Sequence, residues 1–186
     1  MVNSHVRILL IGSNIWYLSD GLLGPLFAVF SEKIGGSILD ITGAWAVYLI
    51  VTGVLNIIVG KLSDGPINKA KLMVVGYAVN TVFTFGYLFV SQPAHLFFVQ
   101  LGLGVSTALA TPTWQALYAK YEDRKSAGFE WGLAGGQSSI IMGLGVMVGG
   151  VIVTKYSFTA LFLLMGFIQL AATIIQSRIL FMPKKR

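Results

Sequence analysis

Long apolar runs separated by short polar breaks dominate this chain from end to end. Six windows stand out, near residues 6–30, 42–62, 72–91, 95–119, 128–154 and 158–181, each nearly free of charge. At about 1.5 Å per residue, each is long enough to cross a hydrocarbon core of about 30 Å. Backbone polar groups in lipid must bond within their own segment, so these windows predict helices. Loops around 31–41, 63–71, 91–94, 120–127 and 155–157 are short, which makes each helix antiparallel to the next. The expectation is an all-α, six-transmembrane-helix bundle forming one domain over 1–186.

Periodicity marks the faces that should not meet lipid. Ser13, Tyr17, Asp20, Gly24 and Phe27 follow steps of three and four, so they share one stripe of the first span. Gln100, Gly104, Thr107, Thr111 and Trp114 repeat that stripe in the fourth span at an offset of 87, and Pro25 and Pro112 keep the same offset. Trp45, Tyr48, Thr52 and Asn56 make a third stripe. Three spans separate the matched positions, so the first and fourth spans run in opposite directions. Two inverted three-helix repeats follow as an expectation, repeat one at 1–91 and repeat two at 92–186.

Composition removes the soluble alternatives. Of the 186 residues, 55% are hydrophobic and 11% charged, and mean hydropathy is +0.78. A soluble domain carries about 25% charged residues, so a water-facing bundle lacks its outer surface. Arg7 precedes a run too long for a signal-peptide core, and the first span is read as retained. The net charge of +6 is explained by its distribution rather than by nucleic acid. With the N-terminus inside, Arg7, Lys61, Lys69, Lys71, Lys120, Arg124, Lys125, Arg178, Lys184, Lys185 and Arg186 all fall inside, leaving Lys33 and Lys155 outside. That bias places both termini in the cytoplasm, in an integral multi-pass protein of the cell membrane.

Cysteine is absent, and His5 and His95 lie at span ends, so no metal or cofactor is expected. An intramembrane enzyme is not expected either. Gly-x-Ser-Gly, His-Glu-x-x-His and paired intramembrane aspartates are missing from the sequence.

Asp20 is the residue with the sharpest chemistry. A carboxylate near mid-span costs about 2.5–3.5 kcal/mol on insertion scales, and such groups line pathways or cavities. It reads as a proton acceptor or cation site, or else as a structural aspartate bonding a neighbouring helix. Trp45, Tyr48, Thr52, Asn56, Gln100, Trp114 and Gln115 form a neutral, aromatic lining that suits a small polar, sugar-like solute. They equally suit bonding between helices. Gln137 is read as cavity-facing. Asn80, Thr84, Gln169 and Gln176 are read as packing contacts. In the fifth span Gly135, Ser138, Met142, Gly145 and Gly149 make a smooth stripe for close packing, and Glu130 pairs with Arg124, Lys125 or a neighbour.

The loop GKLSDGPINKAKLM (60–73) adds a motif. Gly60, Leu62, Asp64, Lys69 and Lys71 resemble the Gly-x-Leu-x-Asp-basic motif of the major facilitator superfamily, between its second and third helices. DGLLGPLFAVF (20–30) resembles that family's first helix, and GLGVMVGG (143–150) its fifth-helix glycine motif. Three departures stand out: Gly65 replaces a basic residue, Val146 a proline, and Gln100 the fourth-helix arginine. The resemblance implies one half of a twelve-helix fold. It also implies gating roles for Gly60, Asp64, Lys69, Lys71 and Glu130. Asp64 would face the start of a partner's fifth helix, around Ser126 to Glu130, or else cap its local turn.

The expected function is a half-size secondary transporter. It would act as a homodimer about a two-fold axis along the membrane normal, by alternating access, with proton coupling through Asp20. Two alternatives remain. The chain is the N-terminal half of a twelve-helix transporter, against which the closing MPKKR reads as a true end. Otherwise it is a six-helix channel or assembly subunit that does not transport actively.

Overall fold

The computed structural model describes residues 3–183, so Lys184, Lys185 and Arg186 of the inner basic set lie outside the described residues. Among the described residues there are seven α-helices, three short 3-10 turns and no strand. The helices are α1 (Ser4–Leu23), α2 (Leu26–Lys33), α3 (Ile38–Ser63), α4 (Lys69–Gly86), α5 (Pro93–Tyr121), α6 (Ala127–Lys155) and α7 (Phe158–Ser177). Their ends are dictated locally. Ser37 and Asp40 form a reciprocal capping box that starts α3, Asn68 accepts from Lys71 N–H at α4, and Ser157 accepts from Ala160 N–H at α7. Pro93 starts α5, where the missing N–H costs nothing.

The first predicted span is two helices rather than one. Gly24 leaves the helical region with ψ −114°, and Pro25 has no N–H to return to the preceding turn, so α1 stops and α2 begins after it. Pro112, its expected counterpart, sits inside an unbroken α5. Thr113 stitches that turn, with its hydroxyl donating to Leu109 O at 2.6 Å and Ala110 O at 3.0 Å. Five helices, α3 through α7, are long and apolar enough to cross a membrane.

Packing puts α3, α5, α1 and α6 side by side in a row, with α4 behind α5, and α7 behind α1 and against α4. Two buried clusters fill the interior at opposite ends. One gathers Phe30, Tyr87, Phe158 and Phe162; the other gathers Leu9, Trp16, Met73, Tyr77 and Tyr118. The flanking helices are the open ones. Only 6% of the most apolar stretch of α3 and 11% of that of α6 is buried, against 39–44% for α4, α5 and α7. Since α3 has the second-highest mean hydropathy of the five, 1.9, its bare face seeks lipid or another apolar body rather than water.

Candidate functional site

One turn before the Gly24–Pro25 break, Asp20 is held by two neutral donors. Trp16 Nε1–H, one helical turn back, donates to Asp20 Oδ2 at 2.7 Å. Gln169 on α7 donates from Nε2 to Asp20 Oδ1 at 3.2 Å, and the same nitrogen reaches the Trp16 carbonyl oxygen at 3.5 Å. Gln169 is fully buried, and its Oε1 has no partner among the described residues. The Trp16 carbonyl thus favours the orientation in which the amide NH₂, not its oxygen, meets the carboxylate. Asp20 has no cation in bonding range among the described residues. Hydrogen bonds and cavity access offset the cost of its position.

Two cavities meet at this carboxylate. The one on the Trp114 side has a volume of about 420 Å³, and the one on the Pro25 side about 510 Å³. Both are sized for small-molecule sites. Asp20, Tyr48, Thr107 and Met142 line both. Of the residues expected from sequence, Ser13, Tyr17, Thr111, Trp114 and Gln115 line the first cavity. Gly24, Trp45 and Gln100 line the second.

The remaining expected residues sit elsewhere. Thr52 lines neither cavity; its hydroxyl donates to Gly104 O at 3.4 Å and ties α3 to α5. Asn56 is also outside both, with a buried Oδ1 that has no partner among the described residues. Gln137 likewise lines neither cavity, and its Oε1 accepts from Asn14 Nδ2 at 3.0 Å, joining α6 to α1.

Several lining or supporting residues carried no site reading in the sequence. Asn80 and Thr84, expected as packing contacts, bond one another within α4, and Asn80 Nδ2 donates to Ser106 Oγ on α5 at 3.1 Å. They also face the Pro25-side cavity, as does Tyr87. Gln169 packs, as expected of it, but packs onto Asp20. A signal existed. Asn80 and Gln169, like Thr84 and Thr173, are 89 positions apart, the same spacing as the first residues of α4 and α7.

The basic loop is more exposed than the cavity. Asp64 caps the end of α3, its side chain is 84% exposed, and its carboxylate lies 4.0 Å from Lys69 Nζ. Lys71 is exposed, and its N–H completes the Asn68 cap. Gly60 brings no helix close among the described residues; a side chain there would meet open space. Gly145 and Gly149 do make the expected close contact, their Cα atoms lying against the α1 backbone at Leu18 and Leu22, whereas Gly135 faces open space beside the cavity. The expected ion pair of Glu130 with Arg124 or Lys125 is not formed among the described residues. Glu130 is buried, accepts from Asp123 N–H at 3.4 Å, and offers its backbone oxygen to Tyr118 OH at 2.6 Å. The buried carboxylate meets a backbone N–H instead, while Arg124 and Lys125 stand exposed.

Comparison with known proteins decides the family. The Major Facilitator Superfamily profile matches residues 9–186. The chain belongs to the major facilitator superfamily. That is a family of transporters, and with five helices of spanning length the chain is an integral membrane protein. A curated relative is an uncharacterized MFS-type transporter of Methanocaldococcus jannaschii, 25% identical over 174 residues. The alignment covers 94% of this chain and 45% of the relative, so the chain spans about half the length of the superfamily member it matches.

Proposed function

We propose that this chain is one half of a secondary transporter that pairs with a second copy of itself and carries a small solute by alternating access. The observation that carries this reading is the position of Asp20. It lies where two cavities meet, between α1 and α5, with the barely buried α3 and α6 flanking the same row. A row of four helices gives one wall of a pathway. A second row, related by a two-fold axis along the membrane normal, supplies the opposite wall and covers the apolar flanks. Rocking of one copy against the other would then open first one cavity and then the other to its side of the membrane, with Asp20 as the shared proton-carrying group.

Other features support the same architecture. We read α1 and α2 as a single interrupted span, giving six, with discontinuous helices lining the site as transporter folds use them. The packing has the exchange expected of inverted repeats: α1 lies on α6 and α7, while α5 lies on α3 and α4. The basic residues favour both termini in the cytoplasm, and a cell-membrane location.

The length of the curated relative favours a second reading, in which the facing half belongs to the same, longer chain. The chain expressed alone and reconstituted in proteoliposomes separates the two. Saturable flux with counterflow, from particles containing two copies, is the expected result. Monomeric particles without flux would favour the longer chain, and non-saturable flux would favour a channel.

A further inference from the structure

We propose that the paired cavities around Asp20 bind a hydrophobic organic cation, an ammonium or phosphonium bearing aromatic or alkyl groups. This rests on the transporter reading above and narrows its solute. Among the described residues Asp20 is the sole charged one lining either cavity; no described lysine, arginine or histidine lines them. An anion brought there would face an uncompensated carboxylate, whereas a cation would supply the missing countercharge in a low-dielectric setting. A second copy would double the carboxylate and add no positive group.

The rings point the same way. On the Pro25 side Trp45 stands 5.3 Å from Tyr48 and 5.9 Å from Phe27, centroid to centroid, forming a wall beside Asp20. On the other side Trp114 and Trp131 lie 6.3 Å apart, nearly perpendicular. Trp45 is half exposed, and Tyr17 and Trp131 are each more than one-third exposed, so ring surface remains open to a ligand. Such surfaces attract a cation electrostatically and cover its apolar groups.

Some of the neutral hydrogen-bonding groups are occupied with one another. Tyr48 OH and Thr107 Oγ1 share a bond of 3.3 Å, and Asn80 bonds Ser106 and Thr84 at 3.1 Å each. Asp20 differs. One donor meets each of its oxygens, and a carboxylate has about four acceptor sites, so capacity remains toward the cavities. The sugar-like solute expected from the neutral stripes would find polar partners in Tyr17, Gln100, Thr111 and Gln115, but would leave the one charged group without its countercharge.

Tetraphenylphosphonium and its isosteric anion tetraphenylborate test the assignment. The whole chain is placed in nanodiscs, and equilibrium binding of radiolabelled tetraphenylphosphonium is read with the signal of empty nanodiscs subtracted. Saturable binding is expected, weakened about tenfold or more by Asp20→Asn. Trp45→Ala should weaken it about twofold to thirtyfold, the range of a cation–ring contact. Tetraphenylborate should not compete. Absence of saturable binding, equal competition by tetraphenylborate, or full binding by folded Asp20→Asn would overturn the proposal. If Asp20→Asn fails to fold, the half-exposed Trp45 and the tetraphenylborate competition still decide it. Counterflow of another solute without cation binding would refute this inference and leave the transporter reading standing. Cation binding by a chain without flux would do the reverse.

Discussion

Asp20 was legible because a carboxylate inside an apolar run has no cheap explanation. Its supports were not. A glutamine in an apolar helix reads as bonding between helices, and nothing local to Gln169 announces that α7 packs on α1 so as to bring it to a residue 149 positions away. Two outcomes follow at this scale. Asp20→Asn fixes the side chain in a neutral form, so uptake of a solute found by a ligand stability screen should lose its pH dependence while folding survives. It should behave at every pH as the wild type does when protonated; an unchanged pH profile in proteoliposomes would remove Asp20 from coupling. Gln169→Leu deletes a buried donor to Asp20, and should lower stability by about 1–2 kcal/mol in a detergent melting experiment. A variant as stable as the wild type would show that the contact contributes nothing.

Five of the six apolar windows coincide with one α-helix each and the first is split in two, because loops, caps and prolines act locally. Boundaries set by Ser37, Asn68, Pro93 and Ser157 fall within a few residues of the apolar windows. The equivalence of Pro25 and Pro112 was less secure. A glycine precedes one proline and lets the chain leave the helix, while threonines flank the other and help keep it intact. The glycines likewise divide by what faces them. A methyl group at Gly145 would stand 2.6 Å from the Leu18 carbonyl oxygen, so Gly145→Val should cost about 1–3 kcal/mol of stability in the same melting experiment. Gly60→Val meets open space and should leave the melting of the isolated chain unchanged. If Gly60 serves an approach between copies, the same substitution should weaken dimerisation in lipid. A loss of monomer stability instead would assign Gly60 an internal role.

For the whole molecule, the sequence reported which surfaces are apolar but could not report which of them stay bare. The stripe on α3 predicted an inward face, and part of it does line the cavities through Trp45 and Tyr48. Thr52 and Asn56 do not, because α3 lies at the end of the row, where that face turns along α5. Burial alone exposes the consequence: α3 and α6 are apolar helices with almost no cover from their own chain. Exposed Asp64, whose one ion-pair partner among the described residues is Lys69 at 4.0 Å, sits beside this uncovered flank at the end of α3. Cysteines at positions 64 and 127 should therefore cross-link between copies in lipid, and cross-links confined to single chains would reject that contact. Native mass spectrometry of the chain released from nanodiscs counts the copies directly. The account predicts two per particle, with Gly60→Val shifting the population toward one. A chain that stays single in lipid and still carries solute with saturable counterflow would contradict it.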